Sequence, residues 1–465
     1  MTLTLADAII QEDVSLVRER LYRGVNLNQW DEYGFTPLIE AAITDNYEIT
    51  RLLLEYRADV NLQDATGSSA LHWATENNNI ELCRLLLDHG ANANAYTFAG
   101  QPVLVMPLLR QQTELKKLLS QYGADLEFAQ DYINAKLLGH MFELVGKADI
   151  VDPKMQFVEV DFEGFYLEFS VAIITEAVAQ FQNHYAARQL RRYAPVMSVI
   201  VDSLSRAARL IRFQQYRVNL EKNKSTIDAL MKEEPLIIPV GYEGHAITFV
   251  KFGNIFVKCD RREDSRLYDN VYFYNINRPK NATPEFFKSL MYEKQTDEFI
   301  NKELHHVLDL QPITELKVPA QISGNCSWAN VEACIPVVFF LMCSTANDFQ
   351  KNISQYKSLA LNCFDQWREW NKDRALNFCI QSFRYADSLR RMCKAEILAA
   401  ILFQACAEDA PKSRERTEII MGLFANPSYK HILLNYVTAY CYEDYSDKGK
   451  YFMSKLKEYG YLDKR

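Results

Sequence analysis

Residues 67–99, GSSALHWATENNNIELCRLLLDHGANANAYTFA, decide the fold of the first part of the chain, because their landmarks recur every 33 residues. One glycine, one leucine, one asparagine and one alanine keep this step, at Gly34, Gly67 and Gly100; Leu38, Leu71 and Leu104; Asn28, Asn61 and Asn94; and Ala58, Ala91 and Ala124. The triplet Leu52-Leu53-Leu54 also returns as Leu85-Leu86-Leu87 and, shortened, as Leu118-Leu119. A period kept by several separate positions predicts a solenoid of stacked units, each with one turn and two helices.

These units resemble ankyrin repeats. Thr36-Pro37-Leu38 and Leu71-His72-Trp73-Ala74 are similar to the family's T-P-L-H-x-A signature, and Ala58-Asp59-Val60-Asn61 is similar to its G-A-D-V-N turn. The resemblance covers residues 1–126 with about four repeats, of which the first is degenerate and typical of a cap. The fourth repeat replaces the signature with Gln101-Pro102-Val103-Leu104, which puts its first helix in question.

Ankyrin repeats imply binding of a protein partner, because stacked repeats present hairpin tips and a concave helix face. Aromatic residues occupy two of the tips, at Trp30, Tyr33, Tyr96 and Phe98. Exposed aromatic residues are preferred anchors of interfaces, so we expect these four to contact a host protein. The alternative is that the rings fold back onto the hairpins or onto a neighbouring domain.

Composition sets the class of the whole chain. Its 465 residues predict two to four domains, and 16 Gly with 14 Pro is a low share that favours helices. A formal net charge of −8 disfavours a general nucleic-acid-binding protein. The ten cysteines contain no C-x-x-C pair, which favours reduced thiols over disulfides or a metal site, and we expect no cofactor. Met1 to Asp13 lack the pattern of a Sec signal, and no apolar run is long enough to span a membrane.

The pattern of apolar residues divides the chain after residue 126 into a mostly helical segment at 127–234, a core at 235–343 and a helical region at 344–465. The core begins with four short β-branched or aromatic runs at 236–240, 246–250, 255–259 and 271–274, which predict an antiparallel meander. The fold class is therefore multidomain α+β. The most basic part of the helical segment holds Arg188, Arg191, Arg192, Arg206, Arg209, Arg212 and Arg217. Arg206 and Arg209 are predicted to share one helix face, with Arg212 nearby. A phosphate-binding surface is one interpretation of that part, and a solvated helix face is the one we favour.

Four residues of the core have the types that acyl transfer needs: His245, Asp260, Gln321 and Cys326. A thiolate is the nucleophile, a histidine takes its proton, a carboxylate orients the histidine, and an amide can bind the oxyanion. If Gly253-Asn254 forms a two-residue turn, Asp260 lies opposite Ile247, one diagonal step from His245. The apolar segment after Asn325 predicts a helix that begins near Cys326, where the helix dipole lowers a thiol pKa.

The spacing of Gln321, Cys326 and Trp328 resembles the nucleophile segment of papain-type cysteine proteases. The order His, Asp, Gln, Cys is similar to that of ubiquitin-like-protein proteases and of the bacterial effector acetyltransferases that share their fold. The resemblance implies that His245 is the base, Asp260 the orienting acid, Gln321 the oxyanion donor and Cys326 the nucleophile. The sequence departs from these family patterns at two positions. Ser327 separates Cys326 from the tryptophan, and Ala246 replaces the usual aromatic residue after the histidine.

Ankyrin repeats joined to such a domain resemble the translocated ankyrin effectors of Legionella-type intracellular bacteria. That resemblance implies a protein secreted by a specialised system into the host cytosol or nucleus. We expect a thiol-dependent hydrolase, of the cysteine peptidase or deubiquitinase-like kind, acting on a protein or ubiquitin-like substrate. An acyltransferase with the same residues and a non-catalytic adaptor with a protease-like scaffold remain the alternatives.

Overall fold

The protein was analysed as a computed structural model, which describes residues 4–215, 218–261, 271–322, 324–344, 352–406, 410–441 and 446–462. The chain forms two compact units. The first contains Met1–Ala135, Lys147–Asp161 and Phe383–Ile397, and the second contains Lys136–Gly146, Phe162–Ser382 and Leu398–Arg465. Each unit is described by itself below.

The first unit begins with four helix pairs, which confirm the ankyrin repeats. The helices are α1 Leu5–Ile10, α2 Val14–Tyr22, α3 Pro37–Ile43, α4 Tyr47–Glu55, α5 Ala70–Glu76, α6 Ile80–Asp88, α7 Val105–Leu109 and α8 Thr113–Gln121. The Thr36 side chain caps α3 by accepting a hydrogen bond from the Ile39 N–H. In the fourth repeat the cap position is Leu104, which makes no side-chain cap bond, and α7 has 5 residues where α3 has 7. The changed signature therefore shortens this helix without removing it.

The repeated asparagine connects one repeat to the next. Asn28 Oδ1 accepts from the Asp59 N–H at 2.9 Å, and Asn61 Oδ1 accepts from the Asn92 N–H at 2.8 Å. Asn94 repeats the contact with the Asp125 N–H at 2.7 Å. These bonds satisfy backbone donors in the turns, which explains why asparagine recurs every 33 residues.

A short hairpin, β1 Lys147–Val151 with β2 Phe157–Asp161, belongs to the first unit. Its strands pair antiparallel with Ile150 opposite Val158. This hairpin follows α9 Leu126–Phe142 and lies inside the segment that the sequence predicted to be mostly helical. Gly100 shows how close β2 comes to the fourth repeat, because a Cβ there would lie 2.8 Å from the Glu159 carbonyl oxygen.

The second unit contains a five-stranded antiparallel sheet with the strands in chain order. They are β3 Leu236–Tyr242, β4 His245–Phe252, β5 Ile255–Cys259, β6 Val271–Ile276 and β7 Leu310–Leu316. The first four confirm the predicted meander. The fifth was not expected, because Pro312 and a largely exposed edge give β7 no alternating apolar pattern.

Helices cover this sheet and supply the core of the unit. They are α10 Leu167–Asn183, α11 Ala194–Ile211, α12 Lys224–Lys232, α13 Pro284–Tyr292, α14 Leu304–Leu308, α15 Cys326–Glu332 and α16 Cys334–Cys343. A 3-10 helix, Tyr185–Tyr193, joins α10 to α11. The Phe273 ring of the sheet meets the Phe340 ring of α16 edge-on at 5.1 Å, and both side chains are fully buried. The apolar segment therefore packs directly on the strands.

The residues described after 352 form α17 Ile353–Tyr385, α18 Ser388–Ala405, α19 Pro411–Phe424, α20 Lys430–Tyr440 and α21 Asp447–Glu458. The expectation that no apolar run is long enough to span a membrane is wrong for one stretch of the described residues. Cys326–Cys343 has the length and hydropathy of a membrane span, and 83 % of it is buried within the fold. The segment is therefore buried to the extent expected of a core segment of the second unit.

Candidate active site

The β3–β4–β5 meander brings His245 and Asp260 together. Glu243 and Gly244 form the β3–β4 turn with φ of 44° and 77°, as type I′ hairpins require, so that Tyr242 lies opposite His245. The next hairpin pairs Phe252 with Ile255, which is the predicted register. His245 Nε2 consequently lies 3.1 Å from Asp260 Oδ1. The carboxylate can therefore fix the imidazole tautomer, and Nδ1 is the ring nitrogen left to face a nucleophile.

Cys326 is the first residue of α15, as the sequence predicted. Burial raises the pKa of its thiol, but a hydrogen bond and the charge of His245, with hydrogen bonds from the Ala246 and Ser327 backbones, outweigh burial and lower the pKa overall. The thiol is half-buried, so a reagent can still reach it. Cys326, His245 and Asp260 thus form one connected array in the second unit.

The other cysteines provide a contrast within the same chain. Cys343, at the far end of the apolar segment, is also half-buried, but burial raises its pKa to about 11. Burial likewise raises the pKa of Cys363 and Cys393 to about 12 and that of Cys406 to about 11. Exposure alone therefore does not distinguish Cys326; its hydrogen-bonding partners do.

Asn330 connects the three parts of the array, and the sequence analysis missed it. Its side chain is fully buried one turn after Cys326 on α15. Nδ2 donates to the Ala246 carbonyl at 2.7 Å, and Oδ1 accepts from the Arg261 N–H at 2.8 Å. Ala246 follows His245 and Arg261 follows Asp260, so one amide holds both strands against the helix of the thiol. A polar residue inside an otherwise apolar run was the signal that could have revealed it.

A buried ion cluster supports the same segments. Arg261 is fully buried and donates to Glu332 Oε1 at 2.7 Å, while Arg368 Nε lies 3.4 Å from the same oxygen. Trp328 donates its indole N–H to Glu332 Oε2 at 3.1 Å. Because an unpaired charge is costly inside a protein, this cluster fixes α15 relative to the end of β5.

Gln321 is connected to the site through its backbone. Its N–H donates to the Arg261 carbonyl at 2.9 Å, which places it beside the residue that follows Asp260. Its side chain is 7 % exposed, and Oε1 has no hydrogen-bond partner in the described part of the chain. Its predicted role as oxyanion donor stays a prediction.

Two further side chains complete the surroundings of the array. Lys258 Nζ lies 3.5 Å from Asp260 Oδ2, so a cation flanks the carboxylate that binds His245. The Tyr242 ring meets the His245 ring edge-on at 5.5 Å. An aromatic residue of the neighbouring strand thus packs on the histidine.

The four aromatic residues of the ankyrin tips have different environments. Phe98 is 74 % and Tyr33 is 69 % exposed. Tyr96 is half-buried and meets the Phe128 ring edge-on at 5.7 Å. Trp30 is 50 % exposed, and its indole donates to the Gln63 carbonyl at 2.9 Å. Phe98 and Tyr33 therefore remain open to a partner, while Tyr96 and Trp30 also hold neighbouring elements together.

Among the described residues, no group of three or more His, Cys, Asp or Glu side chains is placed to hold a metal ion. Cys326, His245 and Asp260 offer the chemistry of a thiol, an imidazole and a carboxylate that contact one another in that order.

Comparison with known proteins places the chain. The family described as ankyrin repeats (3 copies) matches residues 5–97 and 56–129. No curated protein sequence matches the chain. The solved structure of the Legionella effector AnkH matches with 39 % identity and a TM-score of 0.83, covering 100 % of this chain and 99 % of that one. The expected resemblance to Legionella-type ankyrin effectors is thereby confirmed, and it fits an effector that interacts with proteins in the host cell. The chain belongs to the family of the Legionella effector AnkH.

Proposed function

We propose that this effector is a thiol-dependent hydrolase in which Cys326 is the nucleophile, His245 the general base and Asp260 the orienting acid. One observation carries the proposal: the imidazole that binds Asp260 also lowers the pKa of a half-buried thiol at the start of α15. Nucleophile, base and orienter in hydrogen-bonded sequence are the geometric signature of nucleophilic catalysis.

The steps follow from these groups. The Cys326 thiolate attacks the acyl carbon, and the charge that develops on the oxygen is stabilised by the Gln321 amide. The His245 imidazolium gives its proton to the leaving amine, which departs and leaves a thioester. Water then attacks the thioester while His245 takes its proton, releasing the acid and the free thiol. Asp260 keeps the ring oriented through both halves.

The substrate class is a protein or a ubiquitin-like protein, and the ankyrin repeats select the host protein that is acted on. This division of roles rests on the resemblance to ubiquitin-like-protein proteases and on the exposed tip residues Phe98 and Tyr33. The host compartment, cytosol or nucleus, is part of the same proposal.

A panel of C-terminal fluorogenic amides of ubiquitin and ubiquitin-like proteins tests the reaction. We expect turnover by the unmodified chain and by Cys343→Ser, and none by Cys326→Ser. Cys343 is the matched control, because it is also half-buried and burial raises its pKa to about 11. Adding a lysine peptide as acceptor distinguishes hydrolysis from acyl transfer, since only a transferase would modify the peptide. A Cys326 thiol that is inert to every electrophile would favour the adaptor and overturn the proposal.

A further inference from the structure

A 3-10 helix on the second unit presents three exposed arginines. Arg188, Arg191 and Arg192, here called the arginine ridge, are all exposed. None of the three forms an ion pair within the described part of the chain. This absence is notable in a protein with 60 acidic residues against 52 basic ones. By contrast, Arg18, Arg23 and Arg51 of the ankyrin repeats, whose side chains are 53 %, 62 % and 43 % exposed, each pair with a glutamate.

The geometry of the helix arranges the ridge. Tyr185–Tyr193 is 3-10 over 9 residues, whereas such helices seldom exceed about four. Side chains three apart are eclipsed in a 3-10 helix, so Arg188 and Arg191 stand in one row, with Arg192 in the next. The third row is buried: Ala187 is 5 % and Leu190 is 3 % exposed. The helix therefore has a fixed inner row and outward rows that carry the cations.

Two of the arginines are held in place by tyrosine rings. The Arg188 guanidinium lies 4.4 Å from the centre of the Tyr185 ring, and the Arg192 guanidinium lies 4.8 Å from the centre of the Tyr193 ring. Stacking on a ring reduces the side-chain freedom that binding would otherwise cost. It also leaves the N–H groups at the edge of the guanidinium plane available for a bidentate contact.

We infer that the arginine ridge binds an acidic segment of a protein partner. One turn of a 3-10 helix rises about 6 Å, and alternate residues of an extended peptide are about 6.6 Å apart. Carboxylates at alternate positions of such a peptide therefore match Arg188 and Arg191. A single-stranded nucleic acid fits less well, because sites for it combine cations with open aromatic faces on which the bases stack. Tyr193 packs against Phe339 at 5.2 Å, and Arg188 covers one face of Tyr185.

Fluorescence anisotropy with the full chain tests this inference and does not depend on the thiol chemistry. The probe is a labelled 12-residue peptide with Glu at alternate positions, compared with its Gln counterpart. We expect only the Glu peptide to bind, and more weakly at an ionic strength of about 0.5 M than at about 0.05 M. The triple variant R188A/R191A/R192A should weaken binding about 10-fold, because each exposed pair contributes modestly. The control R18A/R23A/R51A, with the same loss of charge, should change it less than about 2-fold.

Two further variants and probes make the outcome decisive. The variant R188K/R191K/R192K keeps the positive charge but loses the planar guanidinium groups that make two parallel hydrogen bonds, so we expect it to bind the Glu peptide about 3-fold more weakly. An unchanged affinity would overturn the bidentate geometry. The alanine triple should keep its melting temperature, since the side chains are exposed. If R188A/R191A/R192A and R18A/R23A/R51A weaken peptide binding equally, the arginine ridge is not the binding site. Tighter, ridge-dependent binding of a single-stranded 12-nucleotide RNA would replace the acidic peptide with a nucleic acid.

Discussion

The ankyrin repeats and the candidate active site are built from the chain in opposite ways. In the repeats, Asn28, Asn61 and Asn94 make the same contact 33 residues apart, so each contact is nearly local and its neighbours repeat it. In the site, the imidazole of His245 reaches the Cys326 thiol across a gap of about 80 residues, and nothing in the chain repeats that contact. A change in one repeat therefore alters one local interface, whereas one change in the site affects every member of the array.

The largest effect in this comparison is expected at the nucleophile. Cys326→Ser should lower turnover of a responsive fluorogenic substrate by about 10⁴-fold or more, because an array of this kind acts as a unit. Phe98→Ala, in a repeat, should leave that turnover unchanged. The check is the initial rate per mole of folded protein, with Cys343→Ser as control. Turnover that survives in Cys326→Ser would locate the chemistry elsewhere.

The second effect concerns pH. His245→Ala removes the hydrogen bond and charge that lower the Cys326 pKa and leaves the burial that raises it. The pH midpoint of Cys326 alkylation should therefore be higher in the variant than in the unmodified chain. The thiolate is then lost at neutral pH, and alkylation slows there. Rates of iodoacetamide labelling between pH 5 and pH 10 provide the midpoint, and an unchanged midpoint would exclude His245 as the partner of the thiol.

The third effect concerns Asn330. Asn330→Ala leaves the Ala246 carbonyl and the Arg261 N–H buried without partners, so we expect a loss of about 2 kcal/mol or more in the free energy of unfolding. Slower Cys326 labelling should accompany it, because both strands lose their connection to α15. Asn371→Ala is the control, since Asn371 is likewise buried, at 3 % exposed, and lies outside the array. It should lower stability without slowing labelling; equal slowing in both variants would mean a general loss of structure.

The smallest effects are expected at the third hairpin tip. Tyr96→Ala removes the edge-on contact with Phe128 and should lower the melting temperature by a few degrees, corresponding to about 1 kcal/mol. Phe98→Ala should leave the melting temperature unchanged and weaken capture of a host protein by about 2 kcal/mol, because an exposed ring of this kind is an anchor. Titration and thermal melts of both variants separate the two roles. A lower melting temperature in Phe98→Ala would show that Phe98 is a packing residue.

The sequence predicted the local features of both regions well. The 33-residue period located the helix pairs, and the Gly253-Asn254 turn fixed the register that places Asp260 beside His245. These predictions succeed because period and turn chemistry act over short stretches of chain. The helix start at Cys326 was predictable for the same reason.

The features that the sequence did not reveal depend on contacts between distant segments. Asn330 and Arg261 are polar residues whose burial becomes favourable only when strands and helix meet. Strand β7 is defined by its pairing with β6, since its own residues show no strand pattern. Sequence patterns report which face of an element is apolar, and they do not report which buried polar groups will find one another.

The central claim is that Cys326 is activated by its partners and not by its exposure. Limiting iodoacetamide at pH 7, followed by mass spectrometry of all ten thiols, tests it most directly. We expect Cys326 to be labelled first and well ahead of Cys343, which is also half-buried and whose pKa burial raises to about 11. Labelling of Cys343 at the same rate as Cys326, or ahead of it, would contradict the account.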